Sequence, residues 1–273
     1  MTLVISPAFS SPVPTEVSGI TPDRLAGMLL PEIERIPVLH GNHSIPLAER
    51  FHVTGSPCDM NIRFEGDLEG VHWIGAGMTS GHLTADGSVG RHTGSGMSGG
   101  TLTVTGSASG WAGAEMRGGL LQVHGSTGPL AGGAYRGAAK GMTGGTLLIH
   151  GDAGSEAGLA MRRGLIAIRG TCQDFPAFNM LAGALFVFGN VGLSPGAGMR
   201  RGTLALLGNQ PVPLLPTFRF SARLQPTAFR LVLRRLERLQ FPIDPGLYTA
   251  PIDIFRGDLV TGGKGELLRV RRA

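Results

Sequence analysis

The chain has 273 residues, a formal net charge of +5, 42% hydrophobic and 16% charged residues, and 45 glycines. It is too apolar for a disordered chain, and its glycine share is more than twice the roughly 7% of an average protein. Two cysteines exclude a disulfide framework. No apolar run reaches the roughly 18 residues that span a bilayer, and the start lacks the basic segment of a signal peptide. A soluble, reduced, cytoplasmic protein without a membrane partner is expected.

Residues 1–50 have an ordinary composition. Thr21-Pro22-Asp23 reads as a helix N-cap followed by Pro at the first helical position, and this stretch is expected to form an N-terminal cap. Residues 66–208 then hold 36 of the 45 glycines. Collagen needs Gly at every third position and a linker needs few apolar residues; neither fits. A repeat does. Met78, Met97 and Met116 are 19 apart, and so are Met142, Met161, Met180 and Met199, with one gap of 26 between the two sets. A glycine follows every one of these methionines at three and again at nine residues. Between the glycines, apolar residues alternate at five and seven after Met, from Leu83/Ala85 to Leu204/Leu206, which is the pattern of a half-buried strand.

A unit of one turn and one short strand cannot bury its own apolar face, whereas stacked units can. With each strand paired in parallel to the same strand of the next unit, identical side chains pile up, and glycines at the corners supply positive φ. The expected fold is all-β: a right-handed parallel β-helix over 51–210, with seven clear coils and one more at Phe51–Gly66. A left-handed hexapeptide helix is the competitor, but no apolar residue recurs every sixth position. Residues 211–273 are expected to form a C-terminal extension. In it Thr227 would cap a helix running to Gln240, with Phe229, Val232, Leu233, Leu236 and Leu239 on one face and Arg230, Arg234, Arg235 and Arg238 on the other.

The stacked methionines read as a polarizable core ladder rather than a soft-metal site, because no thiolate or His recurs beside them. His124 and His150 share an outward position on adjacent coils and read as a surface ladder; His72, His82 and His92 receive no role. Only Glu115, Asp152 and Glu156 are acidic between Gly87 and Gly170, so no carboxylate pair suited to acid–base work stands out. The glycine turns lack the GxxxxGK[ST] pattern of a phosphate loop. Arg117, Arg162/Arg163 and Arg200/Arg201 follow the third, fifth and seventh methionines and with the C-terminal helix form a basic stripe open to an anionic chain or acidic partner. Nucleic acid ranks low, since no stacking groups accompany these arginines. The outward strand positions turn from Thr84/Asp86 to Phe186/Phe188 and Ala205/Leu207, so the late face must be covered by the C-terminal helix, by another subunit, or by both. The seven-residue insertion near Leu130–Arg136, with Tyr135 and Arg136, reads as a contact loop.

The GxGMxxGxLxVxG repeat, as in Gly141-Met142-Thr143-Gly144-Gly145 and Met199-Arg200-Arg201-Gly202-Thr203, resembles two related β-helices: the C-terminal domain of glutamate synthase and the C subunit of formylmethanofuran dehydrogenase. The tail Arg256-Gly257-Asp258-Leu259 with Gly262-Gly263-Lys264-Gly265-Glu266-Leu267-Leu268, and Thr21 to Gly27 near the start, resemble the dehydrogenase C subunit. So does a start at Met1, because the glutamate synthase domain ends a far longer chain.

This resemblance implies a non-catalytic scaffold without a cofactor or metal of its own. In methylotrophic bacteria it would serve a formyltransferase/hydrolase complex, which moves a formyl group from a tetrahydromethanopterin carrier to a methanofuran analogue and releases formate. Its partners there would be formyltransferase, amidohydrolase-like and dehydrogenase-like subunits, which would hold the metals and the methanofuran-type carrier. The arginine bias and the Pro/Ser-rich start favour this form over the archaeal tungsten or molybdenum dehydrogenase. Implied contacts are Tyr135, Arg136, Phe186, Phe188, Leu207, Arg234 and Arg238 with partners, and Arg117, Arg162 and Arg200 with the carrier's polyglutamate tail. A β-helix enzyme acting on acidic polysaccharide is the remaining alternative; it would need a groove of acids.

Overall fold

The computed structural model of the protein describes residues 2–270. Before the repeats come β1 (Leu3–Pro7), β2 (Thr15–Glu16), the one-turn helices α1 (Pro22–Leu25) and α2 (Leu30–Glu34), the hairpin β3 (Pro37–His40) and β4 (His43–Pro46), α3 (Leu47–Arg50) and β5 (Phe51–Thr54). Thr21 stands at the N-cap of α1 with extended backbone and Pro22 is its first residue, but the Thr21 side chain makes no capping bond.

The repeat region supplies β6 (Asn61–Phe64), β7 (Val71–His72), β8 (His82–Ala85), β9 (Thr101–Val104), β10 (Arg117–Val123), β11 (Gly144–Ile149), β12 (Leu165–Ile168), β13 (Ala184–Val187) and β14 (Arg201–Leu206). The protein is thus mainly β. From β6 through β8 to β14, each strand pairs in parallel with the next at the same repeat position, as in Leu83↔Leu102, Leu102↔Leu121, Leu121↔Leu147 and Leu147↔Ile166. A second ladder starts at Leu68 and then runs through the residues eleven after Met78 to Met180, linking Leu68, Val89, Ala108, Thr127, Ala153, Cys172 and Val191 by single parallel bridges. A third runs through the turns before each Met, where Gly94 N donates to Ile74 O, Gly113 N to Thr93 O and Gly132 N to Ala112 O. The expectation that identical side chains pile up is met. All seven methionines are fully buried, with the five- and seven-position residues beside them. Each buried aliphatic side chain contributes about 1.5–3 kcal/mol.

The two glycine positions have different causes. Three after Met, every glycine has positive φ, from 74° at Gly100 to 106° at Gly183. In the later windings a Cβ there would also lie 2.7–3.0 Å from the Met Cε of the winding before, as at Gly119 against Met97 and Gly183 against Met161. Nine after Met, only Gly87 has positive φ. The others are glycine because the backbones approach too closely: a Cβ on Gly125, Gly151 or Gly208 would sit 2.7 Å from the carbonyl carbon of the preceding winding's glycine. Corner dihedrals, the expected reason for all of them, account for only one of the two positions.

The ladder continues into β15 (Arg219–Leu224), helix α4 (Thr227–Arg238), β16 (Ile252–Gly257) and β17 (Lys264–Val270). β17 pairs in parallel with β14, placing Leu267 beside Leu204 and Arg269 beside Leu206. β16 and β15 then pair antiparallel in turn. At the other end β1 pairs in parallel with β6, and β5 closes antiparallel on β1. Thirteen strands form one sheet, in the spatial order β5, β1, β6, β8 to β14, β17, β16, β15, and β4, β3, β2 and β7 form a second. Helix α4 begins at Thr227 with Pro226 at its N-cap, so Thr227 is the first helical residue and does not cap it. Pro226 stands there with extended backbone, its ring fixing φ at −66°, and makes no side-chain capping bond. Phe229, Leu233 and Leu236 of α4 pack with Leu148, Leu165, Ala167, Phe186, Ala205 and Leu207 in a second core on the outer side of the sheet.

Replacing Gly106 with Ala forces a methyl into the Gly87–Ser88 backbone. It is expected to cost about 3 kcal/mol and lower Tm by roughly 6 °C in calorimetry. Gly70, with open space and no positive φ, should accept Ala with a change below about 1 kcal/mol.

Candidate functional site

The turn position five before each Met is left-handed at six places where it is not glycine: Trp73, His92, Trp111, Glu156, Phe175 and Ser194 have φ between 53° and 65°. Bulky residues in this region are unusual and cost energy. Three of them offset that cost by stacking. The Trp73 and His92 rings lie 4.2 Å apart at 16°, and His92 and Trp111 5.3 Å apart at 25°. The insertion after Ala134 folds back over this column. The Tyr135 hydroxyl lies 2.8 Å from both His92 Nδ1 and Ser95 Oγ, and Tyr135 N donates to Glu115 Oε1 at 3.2 Å. Tyr135 is therefore anchored across the windings of its own repeat and two earlier ones, and Arg136 and Lys140 follow it at the exposed surface. Sequence reasoning missed this column; the 19-residue spacing of Trp73, His92 and Trp111 was its signal.

Arg117, Arg162 and Arg200 occupy one column with Thr143 and Leu181 between them; each backbone N–H in it bonds to the Met carbonyl of the preceding winding. The three arginines are exposed and stand on alternate windings, about 10 Å apart at a strand spacing of about 4.8 Å. That is about one Debye length, so their mutual repulsion is weak. His124 and His150 stack with centroids 4.9 Å apart, and His150 meets Phe241 at 5.1 Å. Among the described residues, no group of three His, Cys, Asp or Glu is placed to hold a metal. Burial pushes the Cys172 thiol up to about 12, so it stays protonated and unreactive at neutral pH.

The residues expected at partner contacts divide into two groups. Tyr135 is half-buried, and Arg136, Arg234 and Arg238 are exposed. Phe186 and Leu207 lie in the core beneath α4, and Phe188 is packed beside them. The apolar late face is therefore covered from within the chain, and Phe186 and Leu207 do not form a docking surface. Arg235, expected on the outer face, reaches back to donate to Thr146 Oγ1 at 3.0 Å. At the end of the inner columns, where Arg269 stands next to Leu206, a cavity of about 470 Å³ with a mixed polar and apolar lining opens beside Asn190, Val212, Arg223 and Asp253. Asp253 accepts from Arg223 Nε at 2.6 Å inside it.

Fold and surface together define a mainly-β repeat protein that displays columns of like side chains one winding apart. No profile of a known protein family matches it. The solved formyltransferase/hydrolase complex from Methylorubrum extorquens with methylofuran contains a chain that superposes with a TM-score of 0.90 at 34% identity, covering 98% of this chain and 100% of that one. The C subunit of molybdenum-containing formylmethanofuran dehydrogenase 1 from Methanothermobacter thermautotrophicus is 39% identical over 91 residues, 33% of this chain and 23% of that protein. The C subunit of the tungsten-containing dehydrogenase 2 from the same organism is 37% identical over 91 residues, 32% and 34% of the two chains. The match thus spans only a quarter to a third of the curated relatives' length. The chain belongs to the family formed by the C subunit of formylmethanofuran dehydrogenase and its counterpart in the formyltransferase/hydrolase complex. Among the described residues, no helix is long and apolar enough to cross a membrane.

His72, His92 and His150 are held below the ordinary histidine value, first by burial and then by nearby positive groups: Arg91 for His72, His72 and Arg91 for His92, and His124 and Arg169 for His150. The unfolded chain then binds protons more readily than the folded one. Stability is expected to be constant above the unfolded value of about 6.5 and to be lost as pH falls below it. Urea unfolding between pH 7.5 and 5.5 measures this, and the His92→Phe chain should show a shallower loss. Tyr135→Phe, which keeps the ring and removes the hydroxyl from His92 and Ser95, should cost about 1–2 kcal/mol and hasten proteolysis at 136–140.

Proposed function

We propose that this chain is a non-catalytic scaffold subunit of a cytoplasmic formyltransferase/hydrolase complex, and that its three-ladder winding is a right-handed parallel β-helix. In this reading the complex moves a formyl group from a tetrahydromethanopterin carrier to a methanofuran analogue and releases formate. The chain holds formyltransferase, amidohydrolase-like and dehydrogenase-like partners in place, and the metals and carrier sites belong to those partners. The observation that carries the reading is the full-length superposition on a chain of the M. extorquens complex at 34% identity. The arrangement of side chains supports it: the windings fill their interior with Met, Leu, Val and Ile and leave polar groups in columns on the surface. The archaeal dehydrogenase is the second reading, favoured by the names of the curated relatives, whose matches cover far less of either chain.

Co-expression with the three partner subunits should yield one assembly on size-exclusion chromatography that releases formate from the formyl carrier. The purified chain alone should release none. Formate release by the chain alone, or failure to assemble, would overturn the scaffold role. Within this reading Arg117, Arg162 and Arg200 guide the polyglutamate tail of the carrier between sites. Replacing all three with Glu should slow formyl transfer about tenfold at low salt without lowering Tm, and unchanged turnover would remove that role.

A further inference from the structure

The thirteen-stranded sheet ends in an open edge at β15, which pairs with β16 on one side and is the last strand in the order. An unpaired strand offers a row of N–H and C=O groups to any chain laid beside it. Here the edge also carries exposed apolar groups. Phe220 is 56% exposed and Leu224 50%, while Leu231 on the following helix α4 is 58% exposed. The pairing irregularity between Phe220 and Ala222 turns the apolar side chains to both faces of the strand. Phe220 meets Phe255 edge-on at 5.8 Å, and Leu224 stands opposite Ile252, which belongs to the core under α4. A strand added at this edge would cover both.

Charge selects the occupant. Residues 219–238 contain six arginines (Arg219, Arg223, Arg230, Arg234, Arg235, Arg238) against one acid, Glu237. Their net +5 equals the formal net charge of the whole chain. Two of the six are engaged, Arg223 with Asp253 and Arg235 with Thr146; Arg219, Arg230, Arg234 and Arg238 are exposed. A second copy of the chain laid edge to edge would bring arginines against arginines and be repelled. An extended segment rich in Asp and Glu, with apolar residues between them, matches backbone, apolar groups and charge together.

We infer that the β15 edge, with Phe220, Leu224 and the arginines of β15 and α4, binds an extended acidic segment of a partner protein by adding a strand to the sheet. The inference rests on the scaffold reading and names one of its docking surfaces.

Hydrogen exchange on the assembled complex and on the chain alone tests it. The amides of Arg219–Leu224 should exchange at least tenfold more slowly in the complex. The chain carrying Arg219→Glu and Arg230→Glu, with unchanged Tm, should lose most of that protection, as should Phe220→Ser. A complex that assembles without slowing these amides overturns the inference and leaves the scaffold role standing. Protection that survives the charge reversal overturns an acidic occupant. Protection already present in the chain alone and rising with its concentration assigns the edge to a second copy. A chain that joins no assembly overturns both readings.

Discussion

The structure depends on how closely successive windings lie. Parallel pairing brings backbones to about 4.8 Å, and at the corner nine residues after every Met from Met97 on even a methyl group would collide with the winding before. Three residues after Met, a second glycine makes room for the methionine of that earlier winding and takes the left-handed backbone. The methionine of one repeat and the glycine three residues past the next methionine are thus one contact: the thioether methyl lies where the Cβ would be. This explains why the two residue types recur together, and why Met, with its flexible and polarizable chain, occupies that column.

Such a ladder has no natural end, and at both ends here the strand direction switches. β5 lies antiparallel on β1, and β16 and β15 follow antiparallel on β17. Helix α4 solves a separate difficulty. The outward position that is Thr84 and Thr103 in early windings becomes Leu148, Ala167, Phe186 and Ala205 later, and only the later ones lie under α4. The sheet face changes from polar to apolar where its cover begins. Phe186 and Leu207 therefore contribute to the stability of the chain.

The repeat is legible in the sequence because its constraints are local and absolute: Met, Gly and alternating apolar residues at fixed offsets. The stacking of His124 on His150 is legible for the same reason. The column of Trp73, His92 and Trp111 has the same 19-residue spacing but is harder to read, because it mixes residue types at a position where each adopts a costly left-handed backbone. Its partner Tyr135 comes from an insertion outside the period. Thr227 misleads as a cap because its hydroxyl suits that position, whereas Pro226 sets the extended backbone there without a side-chain bond. Periodic patterns report what every winding must satisfy, and they are silent on what a single winding adds.

That distinction bears on where function can reside. A side chain facing inward is repeated by its neighbours and held by packing, so it is committed to the core. A side chain facing outward is free to vary from winding to winding, as the column Thr143, Arg162, Leu181 and Arg200 does. The frame fixes the separation of such groups to a multiple of one strand spacing, whatever their identity. A partner that contacts several windings thus meets charges at set intervals, and the rigidity that orders the interior also orders the surface. The open strand at β15 differs in kind. It offers backbone as well as side chains, so a segment bound there would be fixed by the same kind of hydrogen-bonded register that joins β14 to β17 and would continue the ladder beyond the end of the chain that built it.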